Sequence, residues 1–157
     1  MKLSTRSRYG TRLMLDLGEH YGAGFIQLGE IAKRQSISLK YLEQIIIPLK
    51  KAGFVRSARG AGGGYQLTKP PHEITIGEIV ALLEGGDEIA GCSRNPEVCE
   101  RSAECVTRGL WQDTAKAMYE RLNAVTLSGL LARGSTALGG SGCGPDNDTN
   151  GSGREQA

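Results

Sequence analysis

Three cysteines carry the most distinctive chemistry in this chain of 157 residues: Cys92, Cys99 and Cys105 follow the pattern C-x6-C-x5-C. Structural zinc sites usually pair cysteines two to four residues apart, so this spacing fits zinc poorly. The wider spacing within one loop favours an iron–sulfur cluster, either 2Fe-2S or 4Fe-4S, whose iron atoms and thiolates occupy more space than one ion. The spacing still leaves open a zinc ion, a regulatory disulfide and three unrelated thiols.

A second set of residues has the chemistry of DNA recognition: Ser38, Lys40, Tyr41, Glu43, Gln44 and Arg59. On the exposed N-terminal part of a helix, Gln44 can pair with adenine, Lys40 can neutralise a phosphate, and the hydroxyl groups can bond phosphates or bases. Glu43 can accept a hydrogen bond from cytosine or reject wrong sequences. Arg59 stands beside glycines at a predicted hairpin tip, from which it could enter a narrow minor groove.

Hydrophobic periodicity predicts the elements that must position these residues. Helices are predicted over 5–21, 27–34, 39–51, 106–123 and 126–131, with a further helix opened by the capping box Thr75–Glu78 and ending near 85–86, and with strands over 54–57 and 65–67. Two short helices joined by a tight turn and followed by a glycine-tipped hairpin have the order of a winged helix-turn-helix. The predicted fold is therefore mainly α, with a two-stranded wing and a long C-terminal dimerisation helix.

Four segments follow from these predicted elements. They are a winged helix-turn-helix DNA-binding domain over 1–86, a cysteine-rich cluster-binding loop over 87–105, a dimerisation helix region over 106–133 and a disordered tail over 134–157. In the first helix, Tyr9, Leu13, Leu17 and Tyr21 recur every four residues and predict one apolar face. In the long helix, the apolar residues Leu110, Trp111, Ala115, Met118 and Leu122 suit one buried seam, so this helix could pair with a copy of itself.

Charge is unevenly distributed along the chain, although the net charge is only +2. Residues 1–75 contain twelve Lys and Arg against five Asp and Glu, which gives +7 and leaves −5 for the remainder. A basic half favours a surface that attracts phosphates. The sequence shows neither a run of 18 apolar residues nor an apolar stretch near Met1 typical of a secretory signal. We therefore expect a cytoplasmic protein that does not engage membranes and whose cysteines are thiols or ligands.

Three segments and the cysteine loop together resemble the Rrf family of bacterial regulators, which includes IscR-like and NsrR-like members. The resemblance spans residues 1 to about 132 and is carried by 1–9 (MKLSTRSRY), 38–44 (SLKYLEQ) and 59–67 (RGAGGGYQL), and by the loop that ends at Cys105 and is followed by Arg108-Gly109-Leu110-Trp111. The resemblance implies a homodimer in which the long helices pair and two recognition helices read a pseudo-palindromic operator. It also implies that the state of the cluster controls DNA affinity.

The chain departs from the family pattern at the fourth cluster ligand. IscR-like members place a histidine three residues after the last cysteine, where this chain has Arg108, and NsrR-like members use an acidic residue of the first helix, where it has Arg8. Neither arginine can ligate iron, so the fourth ligand is unassigned. By chemistry, it could be water, a small thiol, or one of Asp16, Glu19, His20, Glu97, Glu100 and Glu104. Cys143 lies in the predicted tail and is not expected to be a ligand.

These residues and the resemblance predict a transcriptional regulator rather than an enzyme. It would be a homodimer that binds double-stranded DNA and senses iron–sulfur, redox or nitric oxide status through a cluster at Cys92, Cys99 and Cys105. The alternative is a metal-free regulator that senses thiol oxidation. A redox enzyme would need a substrate pocket and a closely spaced dithiol, and neither is visible in the sequence. A protein-interaction scaffold built on the winged domain is a further alternative.

Overall fold

A computed structural model describes residues 3–91, 95, 97, 99–101 and 103–137, with side chains as far as Gly134. Its helices are α1 (Thr5–Glu19), α2 (Leu28–Gln35), α3 (Leu39–Lys51), α4 (Ile76–Glu84), α5 (Val106–Asn123) and α6 (Leu127–Ala137). The strands β1 (Val55–Ala58) and β2 (Gly64–Leu67) form an antiparallel hairpin, and Pro71–Glu73 form a 3-10 turn. The mainly α winged-helix fold is confirmed, and no helix among the described residues is long and apolar enough to cross a membrane.

The core lies between α1, α3 and α4, because each of these helices buries one apolar face. On α3, Leu42, Ile45, Ile46 and Leu49 are all buried, as the periodicity predicts. On α1 the buried face includes Leu13 and Leu17 but not Tyr21, which is exposed. The prediction for Tyr21 is wrong because α1 ends at Glu19 and the chain leaves the helical path at His20.

A short turn sets the angle between α2 and α3. Ser36 adopts the left-handed conformation at φ 52° and ψ 43°, which ends α2. Ile37 then buries its side chain, and Ser38 caps α3 by accepting a hydrogen bond from the Tyr41 amide at 3.3 Å. The turn therefore directs the first residues of α3 away from the core and towards solvent.

The wing is joined to the helices at both of its strands. On β1, the Ser57 hydroxyl accepts a hydrogen bond from Lys50 Nζ of α3 at 2.6 Å. On β2, Tyr65 forms a two-hydrogen-bond bridge with Ile26, which precedes α2. Gly64 makes this approach possible, since a Cβ there would stand 2.3 Å from the Ile26 carbonyl oxygen, and its φ of +151° also disfavours other residues. The hairpin thus has a fixed base beneath its glycine-rich tip.

The C-terminal half returns to the winged-helix domain. Between α5 and α6, the Val125 carbonyl accepts a hydrogen bond from Ile76, and Leu127 donates one to the Ile74 carbonyl. The Leu127 side chain is fully buried. Helix α6 packs against α1 and continues to Ala137, past the predicted end at 131 and past residue 134, where the sequence predicts the tail to begin. The rest of the predicted tail, 138–157, lies outside the described residues.

Helix α5 has two differently exposed parts. Towards its C-terminal end, Ala115 is buried, and Met118 and Leu122 pack against the core. Towards its N-terminal end, Val106, Leu110 and Trp111 are exposed, with Val106 at 91%. The predicted seam is therefore only partly covered by the chain itself.

Candidate nucleic-acid interface and cysteine loop

Five of the predicted DNA-binding residues lie on the first two turns of α3 or at its cap. Ser38, Lys40, Glu43 and Gln44 are exposed, and Tyr41 is half-buried. Arg59, the sixth, is exposed at the tip of the wing, outside the β1–β2 ladder. The arrangement presents two protruding elements, a helix end and a hairpin tip, each able to enter a groove of DNA.

Tyr41 is held in place by side chains of α1. Its ring meets the Tyr9 ring edge to face, with the ring centroids 5.8 Å apart. On α1, the Arg12 guanidinium lies 5.6 Å from the centroid of the Tyr9 ring and donates a hydrogen bond to Gln35 at 3.2 Å. Because Tyr9 belongs to α1 and is itself held by Arg12 of the same helix, the orientation of Tyr41 depends on the packing of α1 against the helix-turn-helix.

Sequence reasoning missed Arg6 as a candidate contact. Arg6 lines a shallow surface depression together with Tyr41, Gln44 and Ile45, so a cation from α1 stands beside the predicted DNA-binding residues of α3. The sequence did contain a signal for this, since Arg6, Arg8 and Arg12 precede Asp16, the first acidic residue of the chain. Such a run of unbalanced cations at the start of a helix is typical of a phosphate-facing segment.

A second overlooked cation lies at the base of the wing. The Arg56 guanidinium stands 5.8 Å from the centroid of the Phe25 ring, which fixes it by a cation–π contact. With Lys50 bonded to Ser57, this places two cations between the end of α3 and the hairpin. The basic surface therefore continues from the helix to the wing.

Asp16 is buried between α1 and α2 with 1% of its side chain exposed. Its carboxylate accepts hydrogen bonds from Arg34 Nη2 at 2.7 Å, Arg34 Nε at 3.1 Å and Gln35 Nε2 at 2.9 Å. Burial raises the pKa of Asp16, but the hydrogen bonds from Arg34 and Gln35 outweigh it and hold this pKa below its usual value. Asp16 is therefore a structural residue of the helix-turn-helix, and its bonded, buried carboxylate does not fit the role of fourth cluster ligand. Nδ1 of His20, another candidate for the fourth ligand, lies 2.8 Å from the backbone carbonyl oxygen of Asp16.

Two of the three loop cysteines lie within the described residues. Cys99 and Cys105 are free thiols of intermediate exposure. Cys105 occupies the N-cap position of α5, and its Sγ lies 3.2 Å from the Thr107 hydroxyl. That contact and the backbone amide of Arg108 lower the pKa of Cys105, which favours the thiolate. Cys92 and Cys143 fall outside the described residues, within which no group of three His, Cys, Asp or Glu side chains is arranged to hold a metal ion.

Comparison with known proteins agrees with this architecture. The family model described as "Rrf2: Iron-dependent Transcriptional regulator" matches residues 3–133. Protein rrf2 of Nitratidesulfovibrio vulgaris is 46% identical over 131 residues, which cover 83% of this chain and 87% of that protein. The structure of T. potens IscR is similar with a TM-score of 0.69 at 36% identity, covering 92% of this chain and 94% of that one. The structure of CymR (YrzC), described as the global cysteine regulator of B. subtilis, gives 0.70 at 37% identity, covering 85% and 98%.

Proposed function

Because the chain belongs to the Rrf2 family of transcriptional regulators, we propose that it is a homodimer that reads a pseudo-palindromic DNA operator with α3 and the wing. We further propose that an iron–sulfur cluster at Cys92, Cys99 and Cys105 controls its affinity for that operator. The observation that carries the DNA-binding proposal is the exposed start of α3, where Lys40, Glu43 and Gln44 face solvent while the opposite face is buried.

Each exposed residue has a distinct role in this proposal. Gln44 can donate and accept at the edge of an adenine in the major groove, and Glu43 can accept from a cytosine amino group. Lys40 contacts the phosphate backbone and carries no sequence preference. Arg59 enters the adjacent minor groove from the wing tip. Together these contacts separate base reading on α3 from backbone positioning on the flanks.

The exposed apolar part of α5 supports the homodimer. Val106 and Leu110 are four residues apart and lie on one face, with Trp111 beside them. Large side chains that are 41% to 91% exposed would be covered if two copies of α5 pair. Two recognition helices can then reach half-sites about 34 Å apart, one helical turn of DNA.

The chemistry of the described thiols fits a cluster. Cys99 and Cys105 are unpaired and accessible, and the contacts of Cys105 favour its thiolate, which is the form that binds iron. With Cys92 they would supply three thiolate ligands. A bound cluster would provide a centre whose loss or oxidation reports the redox state. Because Cys105 occupies the N-cap position of α5, a change in how this residue is held would alter the start of the helix that we assign to the dimer.

The DNA-binding proposal is tested by selecting duplexes from a random pool and then measuring fluorescence anisotropy. Gln44→Ala is expected to cost about 1–3 kcal/mol on the selected sequence and little on random DNA. Lys40→Ala is expected to weaken both about equally and to reduce the dependence of log K on log salt by about one unit. A wild-type protein that binds selected and random duplexes equally would refute the proposal.

The cluster proposal is tested on protein purified without oxygen. We expect brown protein with bound iron and sulfide, and colourless protein when Cys92, Cys99 and Cys105 are all replaced by alanine. Operator affinity should differ between the loaded and colourless forms.

The free thiols also favour a second candidate function, that of a metal-free thiol sensor. The similarity to a protein described as a cysteine regulator supports this candidate. It predicts colourless wild type whose operator affinity changes reversibly with peroxide and dithiothreitol.

A further inference from the structure

Glu84, the last residue of α4, meets the N-terminus of α1. One of its carboxylate oxygens accepts a hydrogen bond from the Ser4 amide at 2.9 Å, and the Ser4 hydroxyl in turn lies 3.3 Å from the Ser7 hydroxyl. Ser4 is itself the N-cap of α1, accepting from the Ser7 amide at 3.1 Å, and Ser7 is buried. The start of a helix has amide groups without intrahelical partners and favours negative charge, so Glu84 stabilises α1 at this point.

The turn of α1 that Glu84 holds also carries Arg6. Arg6 lines the depression formed with Tyr41 and Gln44 of the reading helix. Partial desolvation raises the pKa of Glu84, but its hydrogen bonds with Ser7 and Ser4 and the charge of Arg6 outweigh this and keep the pKa below its usual value. Glu84 is therefore charged at neutral pH and anchors the segment that brings Arg6 to α3.

The segment that follows Glu84 in the chain is hydrogen-bonded to α5. The chain leaves α4 through Gly85 and Gly86 and then enters the cysteine loop. Tyr119 of α5 is buried, and its hydroxyl donates a hydrogen bond to the Gly86 carbonyl at 3.1 Å. One residue, Gly85, thus lies between Gly86, which α5 contacts, and Glu84, whose carboxylate holds α1.

We propose that Glu84 is a positioning residue for DNA recognition, which fixes the first turn of α1 so that Arg6 stands beside Tyr41 and Gln44. Through the bond between Gly86 and Tyr119, displacement of α5 would reach the same turn. The inference rests on the proposed function, because it takes the start of α3 as the DNA-reading surface. It adds a route by which the half of the chain that contains the cysteines acts on that surface.

The test is a double-mutant cycle in operator affinity, measured by anisotropy over a range of salt. Glu84→Ala is expected to weaken binding about three- to tenfold, the equivalent of one or two lost hydrogen bonds. Glu84→Gln keeps the reach and one acceptor oxygen and is expected to lose about two- to threefold. Arg6→Ala should lower the salt dependence by about one unit, as loss of a phosphate contact does. In the Arg6→Ala background, Glu84→Ala should cost nothing further.

Glu73→Gln is the matched control, since it removes another exposed carboxylate, that of the 3-10 turn, and it should leave affinity unchanged. Independent effects of Glu84→Ala and Arg6→Ala, or tighter DNA binding by either Glu84 variant, would overturn the inference. If Glu84→Ala does not fold, Glu84→Gln supports the same cycle. Absence of any operator preference in the wild type would instead refute the proposed function, so the two failures are distinguishable.

Discussion

Arg34 and Asp16 form a buried ion pair whose two members should not contribute equally to stability. Replacing Arg34 with methionine leaves the Asp16 carboxylate buried, with Gln35 at 2.9 Å and His20 at 3.7 Å as its remaining side-chain partners. Replacing Asp16 with asparagine leaves Arg34, whose side chain is already 38% exposed and can turn towards water. Arg34→Met therefore leaves a buried charge without its cation, whereas Asp16→Asn leaves no buried charge.

The magnitudes follow from this difference in burial. Removing the cation from a buried carboxylate costs about 3–5 kcal/mol, so Arg34→Met should lower the free energy of unfolding by about that amount at pH 7. Asp16→Asn keeps the side-chain shape and one acceptor oxygen, and should cost about 1.5–3 kcal/mol, as expected for lost charge-assisted hydrogen bonds. Arg34→Lys keeps the charge but not the bidentate geometry. Its cost in unfolding free energy should therefore be smaller than that of Arg34→Met.

The pH dependence has opposite signs in the two backgrounds. In the wild type the folded-state pKa of Asp16 is lowered, so its stabilising contribution is present above the unfolded pKa of about 3.9 and is lost as pH falls through the folded value. In Arg34→Met we expect burial to outweigh the remaining partners Gln35 and His20, so that the folded-state pKa of Asp16 rises above the unfolded one. That variant should therefore gain stability relative to wild type as pH falls from 7 towards the acid range, by protonating the carboxylate.

Urea denaturation followed by circular dichroism between pH 4.5 and pH 7.5 gives the required free energies. Lys33→Met is the matched control, because Lys33 is an exposed neighbouring cation of α2, and it should change stability by less than about 0.5 kcal/mol. A smaller cost for Arg34→Met than for Asp16→Asn at pH 7 would refute the reasoning. So would a difference between wild type and Arg34→Met that stays constant with pH.

Three further outcomes are expected. Leu110→Glu should shift sedimentation of the protein towards the monomer, because it places a charge on the exposed apolar part of α5, whereas Leu39→Glu, on an exposed position of α3, should not. Gly64→Ala should destabilise the protein by about 1–3 kcal/mol in thermal unfolding, because its Cβ would meet the Ile26 carbonyl, and Gly62→Ala, which meets nothing, should be neutral. Tyr119→Phe should weaken operator binding measurably while keeping the buried ring, and affinity equal to wild type would show that the Gly86 bond has no role in recognition.

The fold was largely predictable because its signals are local. The bounds of α3 and α5 coincide with the apolar periodicity, Ser38 and Thr75 cap their helices, and the glycine-rich tip marks the wing. These features depend on residues a few positions apart, which is the range that sequence patterns describe. Helix α6 runs longer than predicted because its early turns pack on α1, and packing over a distant element extends a helix beyond its own propensity.

The parts of the site that were not predictable depend on residues distant in the chain. Glu84 meets Ser4 across 80 positions, and Asp16 meets Arg34 across 18. Nothing in the local sequence distinguishes Asp16, which is a structural carboxylate, from the other acids considered as iron ligands. Arg6 likewise lies beside the proposed DNA-binding residues only because α1 packs against α3. Such pairings follow from tertiary packing and cannot be deduced from spacing.

Helix α1 helps to set the position of the recognition helix, although α3 makes the proposed base contacts. Helix α3 buries one apolar face in the core, which fixes its rotation and leaves the opposite face exposed. Helix α1 supports this arrangement at three points: Glu84 holds its first turn, Tyr9 in its second turn meets Tyr41 edge to face, and Asp16 binds the end of α2. Under the proposed function, a signal from the cysteine loop would have no need to touch α3, because a change that reaches the start of α1 would alter the surface presented to DNA.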